Sequence, residues 1–186
     1  MTRIVAGRLG GRRLAVPTGD RTRPTSDRVR EALFSTLEST AGLADARVLD
    51  LYAGSGAVGL EAVSRGAAHA ELVEADPRVL RVLRGNVAAL GVADRVRVRA
   101  GKVAAVLGGA PAEPCDVVFL DPPYATGTAE VEAVLAALVA GGWLASDAVV
   151  AVERSTRTPA PRWPAGLDGL TERRYGETTV WYGRAS

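Results

Sequence analysis

Cysteine, histidine and lysine are scarce in this chain of 186 residues, which contains one of each. The single thiol, Cys115, excludes an internal disulfide, and together with the lone His69 it argues against a zinc site. Long apolar runs are also missing, because the longest uncharged one, residues 133–145, is shorter than the ~20 residues that a membrane span needs. Arginines interrupt every apolar stretch near the N terminus. We therefore expect no signal peptide, no membrane partner, no metal and a cytoplasmic location.

Positive charge is concentrated at the N-terminal end. The net charge is +2, but residues 1–30 carry eight arginines against two acids, which gives +6 and leaves −4 for the rest. A basic segment on a nearly neutral body indicates a polyanion, and we favour nucleic acid. The alternative is that arginine is simply the preferred cation, since the chain has 22 arginines. The arginines expected to contact phosphate are Arg3, Arg8, Arg12, Arg13, Arg23, Arg28 and Arg30.

The order of sequence patterns predicts an α/β fold. Residues 3–16 have the pattern of a β-hairpin, 17–24 that of a polar linker, and Thr25-Ser26-Asp27 that of a helix start. Strands are then predicted at 48–52, 70–74, 95–99, 117–120 and 148–153. Helices are predicted at 57–65, 77–90, after Lys102 and at 129–140. This alternation predicts a parallel sheet with right-handed crossovers.

The two ends of the chain are predicted to add smaller parts to this sheet. After a loop at residues 155–169, the segments 170–175 and 178–182 have the pattern of a hairpin around Gly176. This hairpin is expected to place an antiparallel strand at one edge of the sheet. We predict two parts overall: a basic hairpin arm and linker at residues 1–24, and a main domain at residues 25–186.

A glycine-rich turn follows the first predicted strand of the sheet. Gly54, Gly56 and Gly59 satisfy G-x-G-x-x-G, which by itself indicates a dinucleotide site. Asp50 precedes the turn near the end of the strand, where its charge repels a pyrophosphate and favours a cationic ligand. The sulfonium and ammonium groups of S-adenosylmethionine fit that requirement. Glu74 ends the next predicted strand, at the position that accepts hydrogen bonds from ribose hydroxyls in either cofactor class.

A rigid tetrapeptide, Asp121-Pro122-Pro123-Tyr124, follows the buried strand at 117–120. The two prolines fix φ and restrict the residues before them, which stiffens the turn. A carboxylate, two main-chain carbonyls and an aromatic ring on one turn suit a planar base that carries an NH₂ group. The alternative is a strand terminator with a solvated aspartate.

These segments together resemble class I S-adenosylmethionine-dependent amino-methyltransferases. Residues 3–7, 11–14, 23–34 and 175–178 narrow the likeness, because they are similar to the ribosomal RNA small-subunit methyltransferase D family. The resemblance covers nearly the whole chain. It implies a Rossmann-like fold with a mostly parallel seven-stranded sheet, helices on both faces, an antiparallel strand from the C-terminal hairpin and a small N-terminal hairpin.

The resemblance also implies an activity. The family uses S-adenosylmethionine to methylate N2 of one guanine, position 966 in the usual 16S rRNA numbering, in the small ribosomal subunit or its assembly intermediate. We further expect a monomer. The implied catalytic residues are Asp121, Pro122, Pro123 and Tyr124. The implied cofactor-binding residues are Asp50, Tyr52, Ala53, Gly54, Ser55, Gly56, Glu74, Ala75, Lys102 and Val103.

The chain departs from the related enzymes after the third strand of the sheet. Such enzymes often place an acidic residue there to bind the adenine amino group, whereas this chain reads Ala100-Gly101-Lys102-Val103. Main-chain groups near Lys102 are the alternative adenine contact.

Other functions remain open at this point. A DNA adenine-N6 or cytosine-N4 methyltransferase usually carries a base-recognition domain, for which this chain has no room. A protein glutamine methyltransferase fits poorly with Asp121 and the basic arm. A nicotinamide-dependent oxidoreductase needs the glycine turn but leaves Asp50 unexplained. A non-catalytic RNA-binding assembly factor leaves the complete site unexplained.

Overall fold

A single seven-stranded sheet with helices on both faces organises the molecule. The structure, a computed structural model, describes residues 2–17 and 27–186. The strands in this part of the chain are β1 (Thr2–Arg3), β2 (Arg13–Leu14), β3 (Arg47–Leu51), β4 (His69–Glu74), β5 (Val96–Ala100), β6 (Cys115–Leu120), β7 (Leu144–Ser155), β8 (Leu167–Tyr175) and β9 (Thr178–Ala185). The helices are α1 (Asp27–Thr40), α2 (Ala57–Ser64), α3 (Pro77–Leu90), α4 (Val103–Leu107) and α5 (Thr128–Ala140). None of these helices is long and apolar enough to cross a membrane.

The strand order brings the candidate site residues to one edge. The order is β5-β4-β3-β6-β7-β9-β8, and β3 pairs in parallel with β4 on one side and β6 on the other. β9 runs antiparallel to both of its neighbours, β7 and β8. Because parallel strands end at the same edge of a sheet, Asp50, Glu74 and Asp121 lie close together. The predicted Rossmann-like methyltransferase fold is confirmed.

Alternating side chains divide the core into two layers. Phe119 of β6 belongs to an apolar cluster with α1, α2 and α3, whereas Val118 and Leu120 belong to a cluster with α4 and α5. Successive residues of a strand point to opposite faces, so a strand covered on both sides is apolar throughout. This is why residues 117–120 form an uninterrupted apolar run.

The N-terminal hairpin packs on the layer that contains α2. Ile4 and Leu14 are buried in the same cluster as the helices of that layer. The carboxylate of Glu61 on α2 accepts hydrogen bonds from the main-chain N–H of Val5 at 2.9 Å and of Ala6 at 3.1 Å. The predicted hairpin is therefore present, although its paired strands have two residues each. The boundary between residues 24 and 25 lies outside the described residues, so the two-part division stays a prediction.

Two element boundaries differ from the prediction. β7 begins at Leu144 rather than at residue 148, and its pairing with β6 is interrupted between Cys115 and Val117. That irregularity accommodates the polar pair Ser146-Asp147, which conceals the strand in the sequence. β8 begins at Leu167, so the end of the predicted loop at 155–169 is wrong. Thr25 and Ser26, the predicted helix start, lie outside the described residues.

Candidate active site

A large cleft opens at the carboxyl edge of the central strands. Its volume is about 1170 Å³, above the range of about 300–1000 Å³ that is usual for small-molecule pockets. The predicted site residues that line it are Asp50, Tyr52, Ala53, Gly54, Ser55, Glu74, Ala75, Lys102, Val103, Asp121, Pro122, Pro123 and Tyr124. The fold thus gathers the predicted cofactor and catalytic residues around one cavity.

The glycine turn has a backbone that side chains would obstruct. Gly54 adopts a φ of +56° and Gly56 a φ of +85°, both in the left-handed region. A Cβ on Gly56 would lie 2.5 Å from a methyl group of Leu83, so a larger residue would strain both the backbone and this contact. Gly56 is not among the residues that line the cleft. Its structural role is to begin α2 behind the turn, whereas Gly54 and Ser55 face the cavity.

Asp50 is a buried carboxylate at the cofactor end of the cleft. Its Oδ2 accepts a hydrogen bond from the Gly59 N–H at 2.9 Å. Burial raises the pKa of Asp50 to about 7, and the nearby carboxylates of Asp121 and Glu74 add to this rise, while the Gly59 hydrogen bond opposes it. A cationic ligand stabilises the ionised form of such a group. The electrostatic coupling also ties the cofactor end of the cleft to the Asp121 turn.

Glu74 holds the glycine turn and the start of α3 together. Its Oε2 accepts the Gly54 N–H at 3.0 Å, and its Oε1 accepts the N–H groups of Ala75 at 2.7 Å and Asp76 at 2.8 Å. Each carboxylate oxygen accepts about two hydrogen bonds. Oε2 therefore keeps one acceptor position for a ligand hydroxyl.

Arg154, which no sequence motif singles out, holds the Asp121 turn in shape. Arg154, at the carboxyl end of β7, donates from Nη2 to the carbonyl of Thr126, and the Thr126 N–H donates to the Pro123 carbonyl at 2.9 Å. Asp121 is exposed to the cleft, but the protein atoms packed around its carboxylate raise the pKa of Asp121 to about 6, while the charge of Arg154 opposes the shift. The sequence feature that could have indicated this role is the position of Arg154, a charged residue near the end of a buried strand.

The aromatic ring beside Asp121 is open to solvent. Tyr124 has 76% of its surface exposed, which is unusual for a large aromatic side chain. Because the Pro123 carbonyl is used within the turn, the Pro122 carbonyl is the main-chain acceptor left beside the Asp121 carboxylate. The turn therefore offers a carboxylate, a carbonyl and a ring face to one ligand.

Tyr52 carries backbone strain at the same edge of the sheet. Its φ of +65° lies in the left-handed region, which bulky residues rarely adopt. The side chain lines the cleft together with Glu130 and Arg154. Burial raises the pKa of the Tyr52 hydroxyl, with a further contribution from the charge of Glu130. We interpret the strained backbone as the means by which the Tyr52 side chain is placed in the wall of the cleft between β3 and α5.

The donor set fits S-adenosylmethionine. Asp50 and Glu74 supply negative charge and a hydroxyl acceptor, and Val79 of α3 with Val103 and Leu107 of α4 adds apolar walls. Lys102 is exposed at the N-cap of α4 and makes no side-chain cap hydrogen bond. Within residues 2–17 and 27–186, no group of histidine, cysteine and acidic side chains has the arrangement of a metal site.

The predicted RNA-contacting arginines differ in accessibility. The exposed ones are Arg3, Arg8, Arg12, Arg13 and Arg28. Arg23 lies outside the described residues. Arg30 corrects the expectation of an RNA contact, because its side chain is fully buried. Its Nη2 donates to the Arg3 carbonyl at 2.6 Å and to the Asp27 carboxylate at 2.8 Å, so it anchors the hairpin instead.

Comparison with known proteins places the whole chain in one family. A family model described as conserved hypothetical protein 95 matches residues 2–184. Ribosomal RNA small subunit methyltransferase D of Escherichia coli K12 is 42% identical over 165 residues, which are 88% of this chain and 79% of that protein. The chain belongs to the ribosomal RNA small-subunit methyltransferase D family. The protein of that name from Haemophilus influenzae is 35% identical over 159 residues, 84% of this chain and 80% of that protein.

Solved structures agree with this family. The Escherichia coli protein yhhF superposes with a TM-score of 0.87 at 36% identity, covering 100% of this chain and 98% of that chain. An RNA methyltransferase from Salinibacter ruber, in complex with S-adenosyl-L-homocysteine, shares the fold with a TM-score of 0.66 at 21% identity, covering 88% and 94%. Membership of a methyltransferase family, together with the acidic cleft, confirms S-adenosylmethionine as the cofactor and sets aside the nicotinamide alternative.

Cofactor binding by this methyltransferase is expected to strengthen as the pH rises from about 5.5 to 7.5. Asp50 has a pKa of about 7, so a higher pH increases the ionised fraction that attracts the permanently charged sulfonium. Isothermal titration with S-adenosylmethionine across this range measures the effect. The Asp50→Asn variant should bind more weakly at pH 7.5 and lose most of the pH dependence. An unchanged pH dependence in that variant would assign the titration to another group.

Proposed function

We propose that this chain methylates the exocyclic N2 amine of a guanine, position 966 in the usual 16S rRNA numbering, in the small ribosomal subunit or its assembly intermediate. One observation carries the proposal: Asp121 and the exposed ring of Tyr124 share a cleft with Asp50 and Glu74. The cleft therefore has room for a planar base beside the cofactor. The family relationship supports ribosomal RNA as the substrate class.

The Asp121 turn accounts for recognition of an amine. The N2 lone pair of guanine is delocalised into the ring, which makes the amine a weak nucleophile. Hydrogen bonds from its two N–H groups to the Asp121 carboxylate and the Pro122 carbonyl localise that pair on nitrogen. Asp121 also accepts the surplus proton as general base. Its pKa of about 6 makes Asp121 a stronger base than an ordinary aspartate, and at pH 7 Asp121 is still mainly ionised.

The remaining requirements concern access and position. S-adenosylmethionine, when bound, supplies the methyl group. The target base must leave its stack to enter the cleft, and Tyr124 offers a ring on which it can stack. Positioning of the amine by the rigid proline turn contributes much of the rate enhancement. The exposed hairpin arginines bind RNA phosphates, which makes binding sensitive to salt.

Product analysis tests the proposal. Small subunits from a strain that lacks this chain are incubated with the purified protein and S-adenosylmethionine, and the digested RNA is analysed by nucleoside mass spectrometry and site mapping. We expect N2-methylguanosine at position 966 and no methylation of large subunits. Methylation of another base, or of DNA, would contradict the assignment. Protein-free 16S rRNA, tested in parallel, shows whether an assembled particle is required.

A further inference from the structure

Helix α3 presents a row of three arginines on its exposed side. Arg78, Arg81 and Arg84 are exposed, while Val79 and Leu83 of the same helix are buried. Residues three apart lie on one side of a helix, so the row spans about 9 Å along the axis. We call Arg78, Arg81 and Arg84 the α3 ridge. Among the helices of the described chain that carry charged residues, α3 is the one in which all of them are basic.

The ridge charges oppose the stability of their own helix. Arg78 lies in the first turn of α3, where the helix dipole favours negative side chains. Like charges at neighbouring positions on a helix also repel one another. Within residues 2–17 and 27–186, none of the three arginines makes an ion pair. Unfavourable charges that no described side chain compensates indicate an anionic partner outside the molecule.

The ridge lies between the hairpin and the cleft. The Ala15 N–H donates to Oδ1 of Asn86 on α3 at 2.9 Å, and Nδ2 of Asn86 donates back to the Ala15 carbonyl at 3.0 Å. Arg12 reaches the last turn of α3, where its Nη2 donates to the Ala89 carbonyl at 2.7 Å. At the opposite end of the helix, its N-cap Asp76 lines the cleft. A strand of RNA that follows α3 from the hairpin therefore arrives at the active site.

We infer that the α3 ridge binds RNA phosphates and, with the exposed arginines of the hairpin, forms a continuous track that leads the substrate into the cleft. The inference rests on the proposed function, because the RNA is the substrate of that site. Arginines on a solvent-exposed helix, without an aromatic residue among them, suit backbone contacts that position RNA without reading its sequence. The track extends the RNA surface well beyond the N-terminal thirty residues.

The salt dependence of RNA binding tests the ridge. The dissociation constant for protein-free 16S rRNA is measured by filter binding at several KCl concentrations for the wild type and for R78Q/R81Q/R84Q. Each lost phosphate contact removes about 0.7–0.9 from the slope of log affinity against log salt, so the loss of three contacts in the triple variant should lower the slope by roughly 2–3. Its affinity at 0.1 M salt should fall by about tenfold or more. Wild-type affinity and slope in the triple variant would overturn the inference.

A matched variant controls for the loss of positive charge. Arg162 is exposed on the other side of the sheet, where it pairs with Glu132 of α5. The single change R162Q should leave RNA affinity within about twofold, whereas the single change R81Q lowers it measurably. Stabilisation of every variant by S-adenosylmethionine in a thermal melt shows that the cofactor domain is folded.

The same experiment separates the ridge from the proposed function. If the wild type binds rRNA with a salt slope that the triple variant loses, yet methylates no guanine N2, the proposed function fails and the ridge stands. If the wild type methylates guanine N2 and the triple variant keeps its RNA affinity, the ridge fails and the function stands. If the triple variant loses affinity for assembled subunits only, the ridge binds a ribosomal protein, and the RNA inference is overturned.

Discussion

Replacing Asp121 with asparagine is expected to lower the rate of methyl transfer by roughly 10²–10⁴-fold, the usual contribution of a positioned general base. The amide keeps the size of the side chain but cannot take the proton from the amine. Single-turnover methylation of small subunits measures the rate without interference from product release. Asp147→Asn is the matched control, because Asp147 is exposed and has a φ of +61°, a conformation that asparagine also tolerates.

The Asp121 variant should also change the pH dependence of S-adenosylmethionine binding, which a general loss of folded protein would not do. The charge of Asp121 raises the pKa of Asp50, so its removal lowers that pKa below about 7. More Asp50 is then ionised at pH 6, so the pH at which S-adenosylmethionine binding is half-maximal should be lower in the variant than in the wild type. Methyl transfer at a near wild-type rate would refute the role of Asp121 as base. An unchanged pH midpoint of cofactor binding would refute the coupling of the two carboxylates.

Replacing Glu61 with glutamine is expected to destabilise the fold by about 3–5 kcal/mol, the usual cost of removing one partner from a buried charge pair. Glu61 is fully buried and accepts the main-chain N–H groups of Val5 and Ala6. It also pairs with Arg65 at 3.0 Å and lies 3.8 Å from Nε of Arg30. Without the negative charge, the buried Arg30 guanidinium loses the closest compensation for its Nε group.

Urea unfolding measures this loss as a change in the free energy of unfolding. At about 2–4 °C for each kcal/mol in a protein of this size, the melting temperature should fall by roughly 10 °C. Glu38→Gln is the control, because Glu38 is half exposed and reaches the same Arg65 at 3.3 Å. We expect it to cost less than about 1 kcal/mol. Equal effects of the two variants would show that the buried Glu61 carboxylate does not anchor the hairpin.

Local sequence signals predicted most of the fold. The pair Asp76-Pro77 predicted the start of α3, and in the structure the Asp76 carboxylate accepts a hydrogen bond from the Arg78 N–H at 2.7 Å. Asp50, Glu74 and Asp121 were predictable as site residues from their positions near the ends of predicted strands. In a parallel sheet, such residues lie at the same edge. The prediction failed where a partner lies far away in the chain. Nothing near Arg30 indicates a buried carboxylate 31 positions later, so the sequence alone predicts a surface arginine at this position.

The same limit explains the omissions at the site. Arg154 acts on a carbonyl 28 positions earlier, and that relation follows from β6 and β7 being neighbours rather than from spacing. The sequence does not single out the α3 ridge, because its three arginines are spread over seven residues. The net charge outside residues 1–30 is negative in spite of them. In contrast, the sequence itself shows Lys102 where related enzymes often have an acidic residue. In the structure, Lys102 is the N-cap of the short helix α4.

Helix α2 makes the N-terminal hairpin difficult to exchange between enzymes. Glu61 holds the hairpin, and two residues earlier the Gly59 N–H holds Asp50 at the cofactor end of the cleft. The arm and the methyl-donor site are thus attached to opposite sides of the same turn of helix. A hairpin transplanted onto another methyltransferase would need Arg30 and Glu61 to move with it. Under the proposed function, new RNA targets for this scaffold are better sought by redesigning exposed arginines than by exchanging the whole hairpin.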